Sequence, residues 1–144
     1  MHILVTGAAG FIGSNFVRMI ATNRIQGILS VKVLDKLTYA GVKENLEPAQ
    51  NILEDRFVEG DICDPNVVST MLENVDAVIN FAAESHVDRS ISGAADFVQT
   101  NTVGVQVLLD AIKSSGRKIR FVQVSTDEVY GSIDEGSFSE TDIL

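Results

Sequence analysis

The chain has 144 residues, 45% of them hydrophobic, and carries 20 acidic against 11 basic side chains, for a net charge of −9. That length predicts one compact domain, short for a complete two-substrate enzyme, and the negative charge argues against nucleic acid or an anionic membrane as partner. No apolar run reaches the roughly 18 residues of a membrane span, and the single cysteine, Cys63, excludes an intrachain disulfide and a Cys-x-x-Cys metal cluster, so a cytoplasmic protein without a resident metal is expected.

In chain order, residues 2–6 predict the first strand, and Gly7-Ala8-Ala9-Gly10-Phe11-Ile12-Gly13 follows it directly. A helix over 11–22 comes next, with Phe11, Ile12, Phe16, Met19 and Ile20 at helical spacing as its apolar stripe. Glycines between a strand and a helix serve a tight turn, close approach of backbone to a pyrophosphate and close helix-to-strand packing. The free N–H groups of the helix start then face the phosphates. Gly7, Gly10, Phe11, Ile12 and Gly13 are therefore candidate dinucleotide contacts, with a plain βα turn as the alternative for the same glycines.

Residues 30–35 predict a second strand ending on Asp35, about 20 residues past the last glycine, where a carboxylate accepts hydrogen bonds from the adenosine ribose hydroxyls. The same charge repels a 2′-phosphate and selects NAD over NADP, although Lys36 beside it works the other way. Residues 36–55 contain Gly41 and Pro48 and predict a loop with one or two short helices. A third strand covers 56–59. Asp61-Ile62 after it places an acid at a strand terminus, suited to the exocyclic amine of adenine or else an ordinary loop residue. Asp64 and Pro65 open a helix over 66–73 as N-cap and early proline.

The fourth strand is predicted at 76–81 and the longest helix at 101–115, with Val103, Val107, Leu108, Ala111 and Ile112 as its buried stripe and Gly116 at its end. A fifth strand at 119–125 leads into Ser125 to Gly131, which holds the adjacent acids Asp127 and Glu128. Open α/β sheets bind ligands at the carboxyl ends of their strands, so an acidic pair there suits acid–base chemistry; a solvated turn is the alternative. The strands are too continuously apolar for a one-sided sheet. The fold class is α/β, a Rossmann-type doubly wound parallel sheet of about five strands with helices on both faces.

The spacing Gly-x-x-Gly-x-x-Gly resembles the extended short-chain dehydrogenase/reductase superfamily. Within it, Asp35-Lys36-Leu37-Thr38-Tyr39-Ala40-Gly41, the stretch Ala82 to Ile91 and the stretch Ser125 to Gly131 resemble the dTDP-glucose 4,6-dehydratase family, whose wording UDP-glucose 4,6-dehydratases largely share. The resemblance implies NAD as cofactor and a nucleotide-activated hexose as substrate. A hydride leaves C4, the C5 proton is acidified beside the new ketone, water is eliminated across C5 and C6, and the hydride returns to C6. Elimination needs an acid and a base in opposite protonation states. The resemblance implies Asp127 as that acid, Glu128 as the base, Thr126 bonded to the sugar and Ser85 touching substrate. It also places Asp35, Lys36, Leu37 and Thr38 at the adenosine end. Phe81, Ala82, Ala83, Glu84, Ser85 and Thr100 fall along the nicotinamide side. On the residues alone, Thr100 equally reads as a helix-capping hydroxyl and Phe81 to Ala83 as a buried strand end.

By the same similarity, sugar epimerases and GDP-mannose dehydratases replace one or both acids, so the pair favours dehydration; a non-catalytic NAD-binding module is the other reading. His2 and His86 are expected to be structural, Arg89 to pair with Asp88, and Cys63 to be a small buried residue. The superfamily oxidises its substrate with a Tyr-x-x-x-Lys pair, which should follow the acids, yet Tyr130 has Asp134 four residues on. Tyr39 and Lys43 match the spacing beside the ribose acid, a match read as chance. The expectation is the amino-terminal part of a longer enzyme, able to bind NAD without turnover. Its full-length form is expected to be a homodimer paired through helices at 88–98 and 101–115.

Overall fold

Side chains alternate between the two faces of a strand, so strands buried nearly throughout put an apolar surface on each face of a single sheet. The computed structural model describes residues 1–53, 56–86 and 93–143. Among them β1 (His2–Thr6), β2 (Ser30–Asp35), β3 (Phe57–Glu59), β4 (Ala77–Asn80) and β5 (Arg120–Gln123) pair in parallel, in the order β3-β2-β1-β4-β5. The helices are α1 (Phe11–Ala21), α2 (Gln50–Leu53) behind a 3-10 segment Lys43–Ala49, α3 (Pro65–Met71), α4 (Ala94–Val98) and α5 (Val105–Ser114). A π-helical segment, Gln99–Gly104, joins α4 to α5.

Ile3, Val5, Val31 and Val33 turn to one face, where Val17 and Ile20 of α1 and Leu46 and Leu53 cover them. Leu4, Leu34 and Val78 turn to the other, under Val68 and Met71 of α3 and Leu108 of α5. Each such side chain contributes about 1.5–3 kcal/mol by leaving water, and a sheet buried on both faces needs strands that are apolar throughout. Asp64 caps α3 by accepting from Asn66 N–H and Val67 N–H, with Pro65 in the first turn. At the other end of α3, Lys32 Nζ donates to the Glu73 carbonyl at 2.8 Å, and Arg117 donates to those of Leu72 and Val75 at 3.0 and 2.8 Å. Two cations thus hold carbonyls at and just past the end of the helix, the sign its dipole favours.

Three expectations are corrected. Ile20 is buried and Phe16 packs partly buried on the core as expected, beside Gly13, Ser14 and Val17, while Phe11 and Ile12 are 88% and 62% exposed, because the first turn stands at the rim of the sheet. The long helix begins at Ala94 and passes through the π segment, whose wider turn rotates the apolar stripe; Leu108 is buried, Val107, Ala111 and Ile112 are partly covered, and Val103 is exposed. The fifth strand pairs with β4 alone, and Arg120, Val122 and Gln123 are exposed, so it is a sheet edge rather than a doubly covered strand. The expected Asp88–Arg89 pair, the start of the helix at 88–98 and the motif residues Val87 to Ile91 lie outside the described residues.

Candidate dinucleotide site and the acid turn

A cavity of about 560 Å³ opens at the carboxyl ends of the strands, lined among others by Gly7, Gly10, Asp35, Asp61 and Ala82. It lies where β2 and β4 leave opposite sides of β1, the switch point at which sheets of this kind hold ligands. Gly7 makes this possible: its φ is +65°, and a Cβ there would stand 2.4 Å from Ala82 N. Gly13 sits behind it, where a Cβ would fall 2.3 Å from the Gly7 carbonyl oxygen. Any larger residue at either position would push the turn off the sheet. The Gly10 carbonyl accepts the first α1 bond, from Ser14 N–H at 2.9 Å, and no side chain caps the helix. The N–H groups of the first turn, at Phe11, Ile12 and Gly13, have no intrahelical acceptor. An uncapped helix start at the cavity wall suits a diphosphate. The side chains of Phe11 and Ile12 do not line the cavity, so their share in binding would come from backbone.

Asp35 is 7% exposed, and its carboxylate ties the glycine loop to β2. Oδ2 accepts from Ala9 N–H at 2.7 Å and Oδ1 from Leu37 N–H at 2.9 Å. A carboxylate has about four acceptor sites, so acceptor capacity remains on the cavity side for a pair of hydroxyls. The Ala9 carbonyl in turn accepts from Asn45 Nδ2 at 2.9 Å and Val42 N–H at 3.1 Å. Leu37 takes a left-handed φ of 52° and packs its side chain on the core instead of lining the cavity, whereas Lys36 and Thr38 line it.

Lys36 Nζ lies 2.7 Å from Asp61 Oδ2, and Asp61 Oδ1 accepts from Cys63 N–H at 2.9 Å. Burial pushes the Asp61 carboxyl up, but the Lys36 hydrogen bond and the Cys63 N–H outweigh it and hold the group below its ordinary value. The hydrogen bond to Asp61 raises Lys36 correspondingly. Burial, and then Asp61, push the half-buried Cys63 thiol up, and its S–H donates to the Gln99 carbonyl at 3.3 Å, so it is a packed thiol and no nucleophile. Ile62 is buried and lines the cavity beside Asp61.

Phe81, Ala82, Ala83 and Glu84 form the opposite wall with Thr100 of the π segment, while Ser85 is exposed and outside the lining. Two asparagines that sequence reasoning did not single out hold this wall. Asn101 grips Glu84 by its main chain, accepting from its N–H and donating to its carbonyl, both at 2.8 Å. Asn80, fully buried, accepts from the Thr6 hydroxyl and from Ala82 N–H and donates to Gln123 Oε1 at 2.7 Å, which ties the ends of β1, β4 and β5 together. A polar residue ending an apolar strand was a readable signal for Asn80; Asn101 carried none.

Thr126 and the 3-10 turn Asp127–Tyr130 follow β5, so the acid pair stands on the same carboxyl edge as the cavity, one strand beyond β4, without lining it. Thr126 and Glu128 are exposed, and the Asp127 side chain lies outside the described residues. Tyr39 lines the cavity with its hydroxyl 3.2 Å from Glu84 Oε2, while Lys43 sits over the Phe57 ring at 4.8 Å. His2 is at the opposite end of the sheet, 2.7 Å from Ser30 Oγ, and the His86 ring lies 6.0 Å from that of Tyr39. Among the described residues no three His, Cys, Asp or Glu side chains could hold a metal ion, and no helix is long and apolar enough to cross a membrane.

A sequence profile of the family described as GDP-mannose 4,6 dehydratase matches residues 4–144. The chain belongs to that family. Over 142 residues it is 55% identical to a dTDP-glucose 4,6-dehydratase of Streptomyces niveus, covering 97% of this chain and 42% of the relative. It is 54% identical to the low-salt glycan biosynthesis protein Agl12 of Haloferax volcanii, covering 100% of this chain and 45% of that protein. Among solved structures, a dTDP-glucose 4,6-dehydratase of Streptomyces venezuelae with NAD bound superposes with a TM-score of 0.91 at 51% identity, over 100% of this chain and 45% of that one. The chain therefore spans less than half the length of the relatives it matches, and what it shares with them is the Rossmann-type part.

Proposed function

We propose that this chain is the NAD-binding part of a nucleotide-sugar 4,6-dehydratase acting on dTDP-glucose, a cytoplasmic hydro-lyase that works as a homodimer. The observation that carries the reading is the cavity at the strand-order switch, with an uncapped helix start on one side and the acceptor capacity of Asp35 on the other. The N–H groups of Phe11, Ile12 and Gly13 would take the diphosphate, Asp35 the ribose hydroxyls, and Asp61 with Ile62 the adenine. Phe81 to Ser85 and Thr100 would face the nicotinamide. Bound there, NAD supplies the hydride acceptor and donor that the reaction needs.

The elimination of water belongs to the turn after β5. Asp127 gives its proton to the departing C6 hydroxyl and Glu128 removes the proton from C5, so one water leaves and the proton count balances. Thr126 and Ser85 hold the sugar while this happens. In the homodimer, α4 and α5 would pair with their copies, which the exposed Val98 and Leu109 on these helices support.

Calorimetric titration of the 144-residue chain with NAD tests the reading, together with an assay for 4-keto-6-deoxy product from dTDP-glucose. Binding without product is expected, because Asp134 stands where the lysine of a Tyr-x-x-x-Lys pair would follow Tyr130. No heat of binding at millimolar NAD overturns the dinucleotide reading, and product formation overturns the expectation of binding without turnover.

A further inference from the structure

We infer that the Lys36–Asp61 ion pair helps set the choice between NAD and NADP, by holding the Lys36 ammonium away from a 2′-phosphate. The inference rests on the cavity being the dinucleotide site proposed above. Lys36 follows the ribose acid directly and lines the cavity with it. An ammonium at the end of the second strand is a compact charge suited to a phosphate, on a stem flexible enough to reach one. In this chain that charge is committed. Nζ lies 2.7 Å from Asp61 Oδ2, and Asp61 is itself anchored, because Oδ1 accepts the Cys63 N–H at 2.9 Å. The acid is held by the loop behind β3 and is not a loose surface side chain.

Asp35 does not carry the discrimination unaided, since the ammonium of Lys36 beside it would offset its charge if it were free to turn to the ribose end. Asp35, Lys36 and Asp61 together leave one net negative charge at the adenosine end. Removing the charge of Asp61 brings the sum to neutral and frees a cation with more than half of its side chain exposed. The asparagine of D61N keeps an oxygen for the Cys63 N–H, so the loop keeps its anchor.

The test is calorimetry of NAD and NADP on the wild-type chain, on D61N and on the double variant D61N/K36Q, at low and high salt, with thermal melts to verify folding. Because Asp61 would also meet the adenine common to both dinucleotides, the readout is the ratio of NADP to NAD affinity, which D61N is expected to raise about three- to tenfold at low salt, with a smaller gain at high salt, and the double variant to lose that gain. D61S repeats the test with a smaller side chain if D61N does not fold. A gain that persists without Lys36 overturns the inference, because loss of a repelling carboxylate would then explain it alone. An unchanged ratio of NADP to NAD affinity in folded D61N or D61S overturns it too. A folded wild-type chain that binds neither dinucleotide sinks the dinucleotide reading instead, and the inference with it.

Discussion

At the β2–β3 end of the sheet, Asp35 and Asp61 each have both oxygens engaged, three times by a backbone N–H and once by Lys36. At the β5 end, Glu128 stands exposed on a short 3-10 turn behind an edge strand whose own residues are largely exposed. The first region is set before a ligand arrives, so ordering it adds little to the cost of binding. The second is not enclosed by these residues, and acid–base chemistry of the proposed kind needs carboxyl groups withdrawn from water. Recognition of a dinucleotide can therefore be complete within one run of βα units, while the chemistry it serves depends on further walls around the acids.

The contrast can be broken most severely at Gly7. A valine there would need a left-handed backbone and would drive its Cβ into Ala82 N, and G7V should lose more than about 3 kcal/mol in urea unfolding. Asp35 is next. D35N keeps the shape but sets an NH2 donor against either Ala9 N–H or Leu37 N–H and so loses one of the two bonds, which should cost about 1.5–3 kcal/mol of stability along with NAD affinity. A smaller effect is expected from N101A, which removes both bonds to Glu84 at an exposed position: about 1 kcal/mol, read as faster amide exchange at Glu84.

The smallest effect is the pH dependence of the Lys36–Asp61 pair. The folded-state value of Asp61 is lowered from 3.8, so its contribution is present above that value and fades as pH falls through the folded one. Lys36 is raised from 10.5, so its contribution is present below that value and fades as pH rises through the folded one. The stability difference between wild type and D61N should be flat from about pH 5 to 9 and shrink in more acidic solution. A difference that grows on acidification would contradict the pair as described.

What was legible in the sequence was local. Gly7 to Gly13, Asp35 at a strand end and Asp64 before Pro65 each announce their geometry within a few residues, and the structure places all three at the turns and caps expected of them. The Asn101–Glu84 grip and the Lys36–Asp61 pair join segments far apart in the chain, and no periodicity or spacing marks them. The apolar stripe of α1 misled for a related reason: Phe11 and Ile12 have the right spacing to be core, but spacing does not say where the sheet beneath the helix ends.

The central claim is that the uncapped start of α1 receives the diphosphate of NAD. Amide hydrogen exchange of the chain with and without saturating NAD tests it most directly. The account predicts slower exchange at Phe11, Ile12 and Gly13, and no change at the acid turn after β5. Unchanged exchange at the start of α1 while NAD binds would place the cofactor elsewhere and contradict it.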